Sequence, residues 1–129
     1  MAFTVWAARI TCLVELTTGL ALLWSPDLVS LLLLGASLPP PGAAVARCFG
    51  IALLSLSTAC WPEAGEVRRN PMRGLTLYNV LVAVLLGSLG AVHEVAGPLL
   101  WPAVVIHAAF GLLLAVSLVT ARTAGPGEA

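Results

Sequence analysis

The chain alternates long apolar runs with short polar breaks. A membrane-spanning helix needs about 20 mostly apolar residues at a rise of about 1.5 Å each. Four runs meet that length, at about residues 3–24, 42–61, 74–94 and 98–121. The first stops at Ser25-Pro26-Asp27 and the second at Pro62; proline cannot continue a helix but suits a first turn. A fifth apolar piece, "LVSLLLLG" within about residues 27–36, is too short to cross. It predicts a short interfacial or re-entrant helix, with Ser25 as its cap and Pro26 in its first turn. The "LPPPG" that follows, Leu38 to Gly42, predicts a stiff extended connector. The pattern is that of an all-α integral membrane four-helix bundle with a short interfacial helix after the first span.

Composition points the same way. The chain is 60% hydrophobic and 9% charged, with a mean hydropathy of +1.02, where soluble domains carry roughly 25% charged residues. The 129 residues allow a single transmembrane domain, 1–129, and no second unit. Zero formal net charge removes any electrostatic case for nucleic acid. Every basic residue is arginine, which with the Ala, Gly, Pro and Leu excess suggests a GC-rich bacterial source. Arg68, Arg69 and Arg73 lie between the second and third runs and Arg122 follows the fourth, while the other connectors hold no basic residue. The positive-inside rule then predicts an inner-membrane, multi-pass protein with both termini cytoplasmic. Trp24 and Trp101 fall at the outer boundary and Trp6 and Trp61 at the inner one. Arg9 and Glu15 interrupt the first run and no A-x-A-like site follows, which argues against a cleaved signal peptide.

"ARCFGIALLSLSTA" (Ala46 to Ala59) resembles "HAAFGLLLAVSLVTA" (His107 to Ala121). If the likeness reflects duplication, the protein is two helical hairpins in parallel repeat; chance similarity between apolar segments is the alternative.

The polar residues inside the spans carry the candidate chemistry. A charge at mid-bilayer costs about 2.5–3.5 kcal/mol on insertion scales, so it normally faces the bundle interior and finds a partner. Counting at about 1.5 Å per residue puts Glu15 about 13 Å, His107 about 12 Å and Arg47 about 8 Å below the outer boundary. These three form a predicted polar layer, a site for a ligand or a proton. Arg9, Tyr78 and Asn79 fall in a second, inner layer. Small residues share these faces: Thr11, Cys12, Thr18 and Gly19 beside Glu15, Ala43, Ala44 and Gly50 beside Arg47, Ala83, Gly90 and His93 in line with Asn79, and Ala103 and Gly111 beside His107. Such residues let helices approach closely in lipid. Glu15 is therefore expected inside the bundle, near Arg47 or His107. It acts there either as half of an ion pair that fixes helix register or as a proton- or substrate-binding carboxylate. No ligand spacing supports a metal site from Glu15, His93, Glu94 and His107. Arg9 lies close enough to the inner boundary to snorkel. Cys12, Cys48 and Cys60 fall at different depths without a C-x-x-C and read as small core residues. No motif calls for a cofactor or fixes a reaction.

Two resemblances bear on function. An early arginine, "TTGL…WSP" ending the first span, "LLLLGASLPPPG", and a second span opening "ARCFGIALL" resemble DoxX-like small four-helix membrane proteins over roughly the first half of the chain. That likeness implies a redox-associated membrane component and carries no catalytic residue over, since Arg47 stands near where those proteins hold an acidic residue. "LVELTTGLALL" (Leu13 to Leu23) is similar to the first span of small multidrug-resistance exporters, which implies proton-coupled transport with Glu15 as the coupling carboxylate. The later spans lack the aromatic substrate pattern of that family. The leading expectation is a non-enzymatic binding or accessory subunit in the lipid bilayer, with a homo-oligomer or larger membrane complex and a small lipophilic ligand as its partners.

Overall fold

The computed structural model describes residues 2–63, 68–92 and 97–123. The fold is all-α with five helices: α1 (Ala2–Trp24), α2 (Pro26–Leu34), α3 (Pro40–Ala59), α4 (Arg69–Ala91) and α5 (Leu100–Thr123). All but α2 are long and apolar enough to cross a bilayer. The chain is a multi-pass membrane protein, and its lipid-facing surface is paved with exposed Leu, Val, Ile and Phe. In water such a surface would be one large aggregation-prone patch; in a bilayer it is the solvated face.

Two element boundaries differ from expectation, both through proline. Pro40 and Pro41 do not extend a connector but form the first turn of α3, where their missing N–H groups cost nothing and their fixed φ suits the helix. Likewise α4 starts at Arg69, not near residue 74, with Pro71 inside its first turn. Ser25 occupies the N-cap position of α2 but makes no side-chain capping bond. Asp27 acts instead: its Oδ1 accepts the Leu38 N–H at 2.8 Å and closes the loop after the helix. Gly35 ends α2 in the left-handed region at φ 76°, a conformation that favours glycine.

The spans pack as two antiparallel hairpins, α1 with α3 and α4 with α5. Gly19 and Gly50 face each other so closely that a Cβ on Gly50 would lie 2.7 Å from the Gly19 carbonyl oxygen. In the second hairpin a Cβ on Gly90 would lie 2.9 Å from Leu100, and one on Gly111 2.9 Å from Val80. Lipid supplies no hydrophobic drive between helices, so this close approach is what gives a hairpin its van der Waals gain. The repeated "FG" segments take equivalent roles: Gly50 and Leu53 of α3, and Gly111 and Leu114 of α5, are all buried. The hairpins meet along α1 and α5. At the end that carries Trp24 and Trp101, α2 clasps both: the Leu99 N–H donates to the Leu32 carbonyl at 2.8 Å. Gly97 lies against the backbone of Leu32 and Leu33, leaving no room for a side chain.

Candidate functional site

Glu15 sits two turns before the end of α1, on the face that also carries Thr11, Cys12, Gly19 and Leu22. Its helical spacing turns it inward, and it is 0% exposed. On α5, His107 presents Nδ1 to Glu15 Oε1 at 3.6 Å. On α4, Asn79 is fully buried and accepts His107 Nδ1 on its Oδ1 at 2.9 Å. The Asn79 amide is oriented by its other end, since Nδ2 donates to the Leu75 carbonyl at 2.9 Å. Oδ1 can only accept, so His107 carries its proton on Nδ1. The nearer partner, Asn79, holds that proton, and Glu15 stands within ion-pair reach beyond hydrogen-bonding distance.

Tyr78 completes the enclosure. Its ring meets the His107 imidazole edge-on at 5.9 Å between centroids and Phe49 of α3 at 6.5 Å. Its phenol interacts with Glu15, yet neither carboxylate oxygen closes a well-formed hydrogen bond among the described residues. The site therefore draws on all four spans, with a carboxylate and an imidazole side by side in a volume closed to solvent. A carboxylate anion left alone in such surroundings would be strongly unfavourable. An acid proton on Glu15, or an imidazolium at His107, removes that cost. One proton shared between the two groups keeps the site neutral overall.

This arrangement joins what depth counting separated. Tyr78 and Asn79 belong to the layer of Glu15 and His107, not to an inner layer with Arg9. The reason is hairpin register: Val80 lies against Gly111, one turn from His107, which brings Asn79 within side-chain reach of the imidazole. Arg9 is apart from the site, its guanidinium 5.9 Å over the Trp6 ring and its Nε buried without a hydrogen-bond partner among the described residues.

Arg47 corrects a second expectation. It is exposed and directs Nε to the Leu23 carbonyl at 3.4 Å, and the ion-pair partner of Glu15 is His107. Arg47 thus lies level with the last turn of α1, where the carbonyls have no intrahelical donors and the helix dipole is negative. Its contact with Leu23, one residue from the end of α1, puts Arg47 nearer the α2 end than the count from residue 42 did.

Cys12 and Cys60 share one buried cluster with Ala7, Ala8, Met72, Leu75 and Leu114, contrary to the expectation of separate depths. The Cys60 thiol donates to the Pro71 carbonyl at 3.3 Å and ties the end of α3 to the start of α4. Cys48 is exposed and is not a core residue. Among the described residues no group of three or more His, Cys, Asp or Glu converges on a point; His93 and Glu94 lie outside the described residues. Compared with protein-family models, curated proteins and solved structures, the chain matches none of them.

Proposed function

We propose that this protein is a non-enzymatic binding or accessory subunit of a bacterial inner membrane, with both termini cytoplasmic, whose working site is the Glu15–His107 pair. One observation carries this reading: a fully buried carboxylate, neither of whose oxygens closes a well-formed hydrogen bond among the described residues, beside an imidazole. Buried polar groups are normally satisfied, and an unsatisfied one in a membrane span marks a site by default. Asn79 and Tyr78 orient the imidazole, and Glu15 supplies the acceptor for a proton or a donor-bearing ligand.

Proton-coupled transport by the same carboxylate is the second reading, favoured by the juxtaposition of two titratable groups at 3.6 Å. Infrared difference spectroscopy of the bilayer-reconstituted protein during a pH jump tests the common core of both. A carbonyl band from a protonated carboxyl should appear and should vanish in Glu15→Gln. Absence of any band assignable to Glu15 overturns the proposal. Proton-linked uptake into vesicles, abolished by Glu15→Gln, separates the transporter from the binding subunit. Orientation is checked by cysteine labelling on a cysteine-free background: a cysteine at Glu128 should be shielded from impermeant reagent in intact cells, and outside labelling there reverses the topology.

A further inference from the structure

A second feature opens toward the Trp61 end of the bundle, its deep wall one turn along α1 from Glu15. An open groove of about 310 Å³ runs between α1 and α3, lined by Cys12, Leu16, Ser57, Thr58, Trp61 and Glu63. That volume falls in the range of ligand-binding clefts, about 300–1,000 Å³.

Its chemistry is graded along its length. The deep wall is formed by Cys12 and Ser57, which are buried, and by partly buried Leu16. The Ser57 and Thr58 hydroxyls are both engaged within their own helix, donating to the Leu53 and Leu54 carbonyls at 2.8 Å each. The wall therefore presents both hydroxyls already engaged, beside a thiol and a leucine side chain, and suits hydrocarbon. The rim is different: Trp61 and Glu63 follow the end of α3 and are exposed. An indole at the end of a span marks the headgroup level, and the carboxylate beside it lies where a lipid headgroup begins. An acidic and aromatic rim over an apolar wall complements a molecule with a cationic head and an acyl tail. Carboxylate and indole attract an ammonium by charge and by cation–π interaction.

We propose that this groove is a binding site for an amine-headed phospholipid, its chain between Leu16 and Ser57 and its ammonium at Glu63 and Trp61. An anionic lipid without an amine gains the same chain contacts but meets Glu63 as a like charge.

The test uses Trp61 as reporter. Trp6, Trp24 and Trp101 are replaced by Phe, and the protein in detergent micelles is titrated with phosphatidylethanolamine or phosphatidylglycerol carrying brominated chains. Phosphatidylethanolamine should quench Trp61 at a mole fraction about two- to fivefold lower, as expected for one partly exposed ion pair. Glu63→Gln should remove the preference, and Thr58→Phe, which fills the groove from its exposed rim, should weaken quenching by both lipids. Native mass spectrometry of the unsubstituted chain with the same two lipids should give the same ranking. Equal or better binding of phosphatidylglycerol, or a preference that survives Glu63→Gln, overturns the proposal.

Discussion

The seam inside the α1–α3 hairpin rests on backbone contact, and the seam between the hairpins adds a buried charged pair to its apolar packing. Inside the hairpin, Gly19 and Gly50 bring two backbones into contact, and no charged side chain lies at that crossing. Between the hairpins, an apolar cluster that joins Ala7, Ala8 and Cys12 to Met72, Leu75 and Leu114 is accompanied by polar contacts: Glu15 faces His107 across α1 and α5, and nearer the α1 start the Thr4 hydroxyl donates to Ser117 Oγ at 3.5 Å. The α4–α5 seam is intermediate, with glycines against side chains and the Asn79–His107 bond at its middle. In lipid, shape holds helices together at close range, while buried polar groups add modest energy and strong directionality. The hairpins are thus the rigid units, and the seam between them is the place where a change of charge can alter packing.

The sharpest way to break this comparison is at the glycine crossing. Gly50→Val places a branched side chain where a Cβ alone would sit 2.7 Å from a backbone oxygen. Backbone cannot yield as a side-chain tip does, so the cost should reach or exceed the upper end of the roughly 1–3 kcal/mol of overpacking. Unfolding in mixed micelles, followed by circular dichroism, measures it. Gly74→Ala is the control, since a Cβ there meets nothing within 4 Å, and it should change stability little.

Next in size is the coupling of Glu15 to His107. A double-mutant cycle with Glu15→Gln and His107→Leu should give about 1–2 kcal/mol, toward or above the top of what interhelical hydrogen bonds show in membranes. Both groups are largely enclosed, and neither carboxylate oxygen closes a well-formed hydrogen bond among the described residues. A coupling near zero would show that the proximity has no energetic content. Asn79→Leu probes the adjoining bond. In a cycle with His107→Leu it should give a neutral interhelical value, about 0.6 kcal/mol. It should also free the imidazole tautomer, visible as a change in the His107 nitrogen shifts by NMR.

The number and placement of the spans were legible in the sequence because hydropathy and length decide them. The short α2 was legible for the same reason, since its nine residues cannot cross. Residues near helix ends were read less well. Pro40, Pro41 and Pro71 look like breaks in a string of letters, yet a first turn accepts them. The inward direction of Glu15 followed from the small residues on its face, which left its partner open between Arg47 and His107. What the string could not give was the register between helices. Asn79 joins His107 only because glycines at 90 and 111 set how α4 and α5 slide past each other. Counting residues from loop ends carries an error of about a turn, enough to place Tyr78 and Asn79 in the wrong layer and Arg47 too deep.

The smallest expected effect concerns that discarded partner. Arg47 and Glu15 lie on neighbouring helices, residue counting put them in one layer, and opposite charges invite pairing. The structure gives each of them another contact: Arg47 Nε reaches the Leu23 carbonyl and Glu15 faces His107. Arg47 is exposed while Glu15 is fully enclosed, so solvent and headgroups screen the first from the second. Removing the guanidinium with Arg47→Gln should cost only a weak contact to a helix end, about 0.3–1 kcal/mol. Combined with Glu15→Gln, the two losses should add to within about 0.3–0.5 kcal/mol, the scatter of independent sites. Recovery of stability in the double variant would instead restore the Glu15–Arg47 pair as the element that fixes register. It would also move the working site from the seam between the hairpins into the α1–α3 hairpin itself.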